Sequence, residues 1–524
     1  MPSEKIKLFD ARKLFTSQEK RNIFIYLIGI MLYKFGIEAF VGAIITLATN
    51  RYDQDAYKTN TSTRTFEKVG LIIGLNQASQ CIGSVLISPL VKRWRIQFVL
   101  SITIFIFALS TAIFMIIDVT TGGRIKPKDF KPKHKSDFNY YGNYHTDIII
   151  PIYCISGITL GMVESIRRII PVNIVGDDII KLRKMKAIVQ GFYEVSGVSG
   201  ALITALVLIP RLGNNYAFII TPILFTISGL IWLLIHSFPK QENNVKCEQF
   251  ISYVKKSKSN FLKEFIKPLV IFIQSIYIGG KIVFTNRKFI WLFIVYPLAI
   301  YSHRYIENSI SPQIARRYLG HSDWSQILVS GSNFGELLGA LFVFYFNNII
   351  KSPILPVRFD ALMLLIIWYI PFYYPPINEI KYAWIISASL IPIGFASAIG
   401  DISLDAYIQS SLTRLESKHK NVSPLGAVIS FLYSTYIIIY SIANPLLGKH
   451  IDYIYNKNGT VHQALIYTAS VLLTIIFILM FSATFIPKGT LTFNPVLIDE
   501  DDNTMTNDNH EKLNAILHEN VDLD

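Results

Sequence analysis

Twelve stretches of mostly apolar residues punctuate the chain, near 23–48, 69–91, 96–118, 147–167, 187–209, 215–237, 289–308, 325–349, 356–375, 382–403, 424–447 and 463–487. About 20 consecutive apolar residues cross the hydrocarbon core of a bilayer as an α-helix, which satisfies its own backbone hydrogen bonds there. The pattern predicts an all-α polytopic membrane protein of twelve transmembrane helices in two six-helix bundles. The predicted layout is a tail at 1–22, bundles at 23–237 and 289–487, a basic central loop at 238–288, and an acidic tail at 488–524. Composition excludes the alternatives. Only 16% of residues are charged, against about 25% in soluble domains, and 13% are aromatic, the opposite of a disordered chain.

The formal net charge is +14, which at first suggests a nucleic-acid binder. The distribution argues otherwise. Short loops rich in Lys and Arg stay on the cytoplasmic side. With the N-terminus inside, KRWR (92–95), the 167–186 loop, RLESKHK (414–420), the N-terminal tail and the central segment all fall there. Both termini are therefore expected in the cytoplasm, with the plasma membrane as the expected location and the vacuolar membrane as the alternative. The loop 119–146 carries six bases yet falls outside, as long loops do largely regardless of charge. Sequons at Asn60 and Asn458 fall on that outer face and are candidate glycosylation sites, while a third at Asn421 falls inside. Within the central segment, PLVIFIQSIYIGG (268–280) is short for a span, and its Lys-rich lead-in predicts a helix lying at the interface.

Charges within a span are costly and are retained where they pair or face a polar cavity. Lys34 and Glu38 stand at i and i+4 in the first span, either as a packing ion pair or as a pair that binds substrate or exchanges a proton. Glu194 and Glu336 have no opposite charge nearby on their own helices, and stand either as proton carriers or as protonated acids hydrogen-bonded across a helix interface. Asn76 and Gln80 give the second span a polar face, and Asn333 does so for the eighth. Glu164, Arg167 and Arg168, with Asp401 and Asp405, are expected to form an inner gate; His303, Arg304 and Glu307, near the outer end of the seventh span, an opposing one. Cys81, Cys154 and Cys247 sit at unrelated spacings, so no disulfide framework, metal site or cofactor is expected. Nucleotide-binding and hydrolytic motifs (G-x4-G-K-[ST], HExxH, G-x-S-x-G) are absent, so the chain is not expected to be an enzyme.

Internal symmetry is visible. Gln80-x-x-Gly83, Glu194-x-x-Gly197 and Glu336-x-x-Gly339 recur in spans two, five and eight, and a Gly precedes an acid by seven residues in spans four (Gly157, Glu164) and ten (Gly394, Asp401). Three-helix repeats nested in six-helix halves produce this spacing. The arrangement, with the basic loop SPLVKRWRIQFVL (88–100), resembles the major facilitator superfamily. That loop is similar to the family's small-x3-Asp-Arg-x-Gly-Arg-Arg, but Ser88 replaces the glycine, Lys92 the aspartate and Arg95 the second glycine, and Arg93 alone matches directly. YKFGIEAFVGAI, GLNQASQCIGS and ARRYLGHSDWSQILVSGSNFGELLGALFVF resemble a fungal branch of the same family. The resemblance implies a monomeric secondary-active transporter that works by alternating access, with membrane lipid, a small organic solute or metal chelate and protons as its partners, and no nucleic acid. A transport-inactive receptor or scaffold of the same fold is the alternative.

Overall fold

The structure, a computed structural model, describes residues 15–130, 132–134, 136–175, 179–235, 261–346, 352–416, 424–487 and 489–490. The tails before 15 and after 490, residues 236–260 of the central loop and Asn421 lie outside the described residues. Among those described there is no strand. The helices are α1 (Ser17–Lys58), α2 (Thr65–Arg93), α3 (Ile96–Thr120), α4 (Ile149–Val175), α5 (Ile179–Ile203, prolonged to Leu212), α6 (Ile220–Leu233), α7 (Phe261–Thr285), α8 (Arg287–Tyr318), α9 (Ser325–Phe346), α10 (Ile354–Met363, prolonged by 3-10 turns to Phe372), α11 (Ile380–Glu416), α12 (Pro424–Asn458) and α13 (His462–Ala483). Eleven of the twelve expected spans are long and apolar enough to cross a membrane, and the sixth is the shorter apolar helix Ala217–Leu233.

Several helices are longer than hydropathy predicted, α1 and α7 among them. Helix α1 begins at a capping box, in which the Glu19 amide donates to the Thr16 hydroxyl at 3.2 Å and the Thr16 amide donates to Glu19 Oε2 at 2.7 Å. It runs for 42 residues, about 63 Å at 1.5 Å per residue, well beyond the apolar core of a bilayer. Helix α7 extends the predicted 268–280 run to 25 residues. It packs on α12 and also touches α2, so it rests against both halves of the molecule.

Glycines set the closest crossings. Helix α2 packs on α4 and α9 packs on α11, and these two pairs are equivalent in the internal repeat. Gly157 of α4 faces the backbone carbonyl of Asn76, while Gly394 of α11 faces that of Ser332. Asn76 lies four residues before Gln80 and Ser332 four before Glu336, so the two contacts fall at the same register and give the sequence repeat a physical meaning. A Cβ at Gly157 would sit 2.6 Å from the Asn76 oxygen. Gly157→Ala is thus expected to push α4 off α2 and cost about 1–3 kcal/mol, read as a lowered thermal unfolding midpoint in detergent.

The basic loop between α3 and α4 folds over the ends of the helices. The Arg51 guanidinium donates to the carbonyls of Gly142 at 3.2 Å and Tyr144 at 2.7 Å, and lies 3.6 Å over the Tyr144 ring. Asp118 accepts from the Gly142 amide at 2.9 Å and from Asn215 at 2.7 Å. Burial pushes the Tyr140 and Tyr144 phenols up to about 12, so the aromatic part of this cap stays neutral. The described part of this loop is therefore a folded cap, held by Arg51 and Asp118 from the helices beneath it.

Asn60 and Asn458 lie exposed at this same end of the molecule. The Thr63 hydroxyl donates to Asn456 at 2.8 Å, tying the two sequon-bearing segments together. The two sequon-bearing segments thus share one end of the molecule.

Candidate functional site

Near the middle of α1, the Lys34 ammonium donates to Glu38 at 2.5 Å, with both residues buried. The same ammonium lies 4.6 Å over the Tyr193 ring of α5, and Arg167 of α4 lies 4.2 Å over it as well. Arg167 in turn donates to Glu164 at 2.9 Å, and the Tyr33 hydroxyl donates to that carboxylate at 3.3 Å. An ionic chain thus runs Glu38, Lys34, Tyr193, Arg167, Glu164 through the first half. Glu164 and Arg167, expected as gate residues, are bound within their own half and support Lys34; the Arg168 side chain lies outside the described residues. Gly197 leaves room for this chain, because a Cβ there would lie 2.7 Å from Lys34 Cε and 3.5 Å from the Asn333 amide nitrogen. Asn333 belongs to α9, so Lys34 faces the second half directly.

Across the cleft, His303 Nε2 of α8 lies 2.6 Å from Glu336 Oε1 of α9 and 3.2 Å from Glu307 Oε1 one turn along its own helix. Arg304 donates to the other oxygen of Glu307 at 3.1 Å. His303 and Glu307 repeat the base-then-acid i, i+4 pairing of Lys34 and Glu38. Behind them, Asp360 of α10 is buried, and the charges of Asp401 and His303 act on it. Asp401 interacts with Asp405, His303, Glu336 and Arg304, which joins it to this cluster. Asp360 escaped the sequence reading, although an acid five residues inside an apolar run was the signal for it. Glu194 lies between the two halves. Gln190 donates to one of its oxygens at 2.5 Å, the other is buried with no hydrogen-bond partner, and the charges facing it are Glu336, Lys34, Glu38 and Arg167.

His303, Arg304 and Glu307 were expected at the end of the seventh span, but α8 continues to Tyr318 and places them at mid-helix. The reason is local. Two π turns, Ile306–Ile310 and Ile314–Tyr318, carry the helix through a polar stretch that depresses hydropathy. π turns inside α-helices concentrate at functional sites.

At the Asn60 end a different set of charged residues joins the two halves. Asp53 of α1 receives Arg316 Nε at 2.7 Å and Arg317 Nη2 at 2.7 Å, all three side chains being at least nine-tenths buried. Thr65 donates to the same carboxylate at 2.6 Å, and Arg317 stacks 4.1 Å over Tyr455. Ser322 donates to Asn50 at 2.8 Å, and Asp452 of α12 accepts the amides of Phe66 at 2.8 Å and Glu67 at 3.0 Å. The bonds of Asp53 to Arg316 and Arg317, of Ser322 to Asn50 and of Asp452 to the Phe66 and Glu67 amides join the first half to the second. The Arg304 side chain is nevertheless 51% exposed in mid-helix, close enough to act on Tyr436 and Glu336 of its own half and on Tyr193 of the other. The two halves are thus joined at the Asn60 end, whereas Arg304 is exposed at mid-helix.

Asn76 and Gln80 do not join the Lys34 cluster. Asn76 donates to the Tyr153 carbonyl at 2.8 Å and Gln80 donates to Asn76 at 2.8 Å, which pins α2 to α4.

A family model described as Major Facilitator Superfamily matches residues 26–423. Among curated proteins no relative matches. The fold is similar to a crystal structure of the nucleoside transporter NupG, with a TM-score of 0.54 and 12% identity over 87% of this chain and 99% of that one. It is also similar to a crystal structure of a D-xylose-proton symporter, with a TM-score of 0.55 and 12% identity over 91% of this chain and 98% of that one.

Proposed function

Because the chain belongs to the major facilitator superfamily, a family of membrane transporters rather than enzymes, we propose that it moves a small polar solute across the membrane by alternating access driven by a proton gradient. The observation that carries this reading is a cleft with one accessible end. Charged groups from both halves meet in it at mid-helix depth, the Asp53 lock closes the Asn60 end, and Arg304 stays accessible. Rocking the halves would break that lock and expose the same groups to the other side. The solute is a small organic molecule or a metal chelate, moved by a monomer in the plasma membrane, with the termini in the cytoplasm and Asn60 and Asn458 glycosylated outside.

Glu194 is the proton carrier in this reading. It stands between the halves, keeps one buried oxygen free, and is answered by Lys34, Glu38, Arg167 and Glu336 from three other helices. A proton arriving there weakens its attraction to Lys34 and its repulsion of Glu336 together, which couples proton occupancy to both halves. In reconstituted vesicles screened with a panel of polar solutes, wild-type flux should rise as the medium is acidified. Glu194→Gln should leave flux at least tenfold lower and flat between pH 5 and pH 8. A Glu194→Gln profile that keeps the wild-type slope removes Glu194 as the carrier, and no solute flux in the wild type at any pH removes the transporter reading.

A further inference from the structure

We propose that His303, Glu307 and Glu336 form a binding site for a divalent transition-metal cation such as Mn²⁺ or Zn²⁺. His303 Nε2, Glu307 Oε1 and Glu336 Oε1 all lie within 4.8 Å of one another. Metal bonds of about 2.0–2.2 Å place neighbouring donors roughly 3 Å apart. The 3.2 Å separation of His303 from Glu307 already fits, and the 2.6 Å separation from Glu336 needs only a small outward turn of the Glu336 side chain.

The supporting groups are arranged for a cation. Arg304 holds Glu307 Oε2 at 3.1 Å, which fixes the carboxylate and leaves Oε1 for the site. Glu307 and His303 are buried, whereas the Glu336 side chain is 24% exposed and opens the site to the cleft. Asp360 and Asp401 stand close enough to act on His303. The other ring nitrogen of His303, Nδ1, is buried with no hydrogen-bond partner, so these carboxylates act on the ring through their charge alone. The Glu307 and Glu336 carboxylates converge on His303, with Arg304 bound to the far oxygen of Glu307. One imidazole with two carboxylates suits Mn²⁺, Fe²⁺ or Zn²⁺ better than the all-oxygen cages of Ca²⁺.

The internal repeat supplies a second, independent argument. In the first half Lys34 takes the place of His303 and Gln80 that of Glu336. There the protein provides its own cation, the Lys34 ammonium held by Glu38 at 2.5 Å. In the second half the equivalent acid, Glu307, meets an imidazole and the further carboxylate of Glu336, three groups that can each offer one ligand atom.

The proposal is tested without a gradient, on the full chain purified in detergent and titrated with Mn²⁺ or Zn²⁺ against a fluorescent chelator. One ion should bind per chain, and His303→Ala and Glu336→Gln should each weaken binding at least tenfold, while Glu67→Gln at the Asn60 end leaves it unchanged. If either variant fails to run as a single species on size exclusion, pulsed EPR of the Mn²⁺-loaded wild type decides, because the site requires coupling to an imidazole nitrogen. No saturable binding, binding equally tight in both folded variants, or Mn²⁺ without nitrogen coupling each overturns the site. Metal binding is measured apart from flux, so its failure counts against this site alone and leaves the transport reading to the vesicle assay.

Discussion

Asp53→Asn is expected to unlock the sealed end of the protein. The substitution removes the charge that Arg316 and Arg317 share and leaves two guanidiniums inside, each no more than 7% exposed. Breaking a buried pair by removing one partner costs about 3–5 kcal/mol, and asparagine, which still accepts one hydrogen bond, places the cost near the lower figure. The penalty falls on the closed arrangement alone, since opening that end lets water reach both arginines. At 1.4 kcal/mol per tenfold, the balance shifts by about two orders of magnitude toward the arrangement open at the Asn60 end. A cysteine at Ser322, buried against Asn50, reads the change in a background lacking Cys81, Cys154 and Cys247. A membrane-impermeant maleimide should label it at least tenfold faster with Asp53→Asn than without. Adding Arg316→Gln and Arg317→Gln should restore thermal stability but not protection. Labelling that stays slow in the single variant would show that packing, not this ion cluster, holds the end shut.

Lys34→Met carries the second large effect. It strands the Glu38 carboxylate at a position only 9% exposed and takes one of two cations off the Tyr193 ring. A loss of about 3–5 kcal/mol in stability is expected, with flux abolished. The informative comparison is Lys34→Met with Glu38→Met. Apolar replacement of both members of a buried pair is often neutral for stability, so the double variant should regain the wild-type unfolding midpoint while flux stays absent. If flux returns with the midpoint, the pair serves packing and the mechanism lies elsewhere in the cleft.

Much of this was legible in the sequence because the bilayer imposes a length on every span. Eleven expected spans and the short sixth follow from hydropathy alone, and the Gln80/Gly83 and Glu336/Gly339 repeat anticipated the matched contacts of Gly157 and Gly394. Lys34, Glu38, Glu194, Asn333 and Glu336 come together as intramembrane polar groups must, facing one another rather than lipid. The lock was not legible. Asp53 lies past the apolar part of α1, and Arg316 and Arg317 past that of α8, so hydropathy assigned both to loops. Helices that seal a cleft extend beyond the hydrocarbon and carry charge there, and only the contact between halves reveals the pairing. Asn76 and Gln80 show the converse, since a polar face on a span satisfies a neighbouring helix as readily as a solute.

Helix α8 holds Glu307 in the central cluster and Arg316 in the lock on one unbroken rod, with the turns Ile306–Ile310 and Ile314–Tyr318 bracketing the interval. Nine residues of helix separate the two positions, about 13 Å at 1.5 Å per residue. A π turn holds one residue more than the α turn it replaces, so its relaxation rotates everything beyond it by roughly 100°. The rod thus contains two slip joints, one beside the ligand cluster and one under the arginines. A twist applied at Glu307 would reach Arg316 as a change of heading, so a pull on one carboxylate at mid-membrane can steer the arginines that bolt the far end.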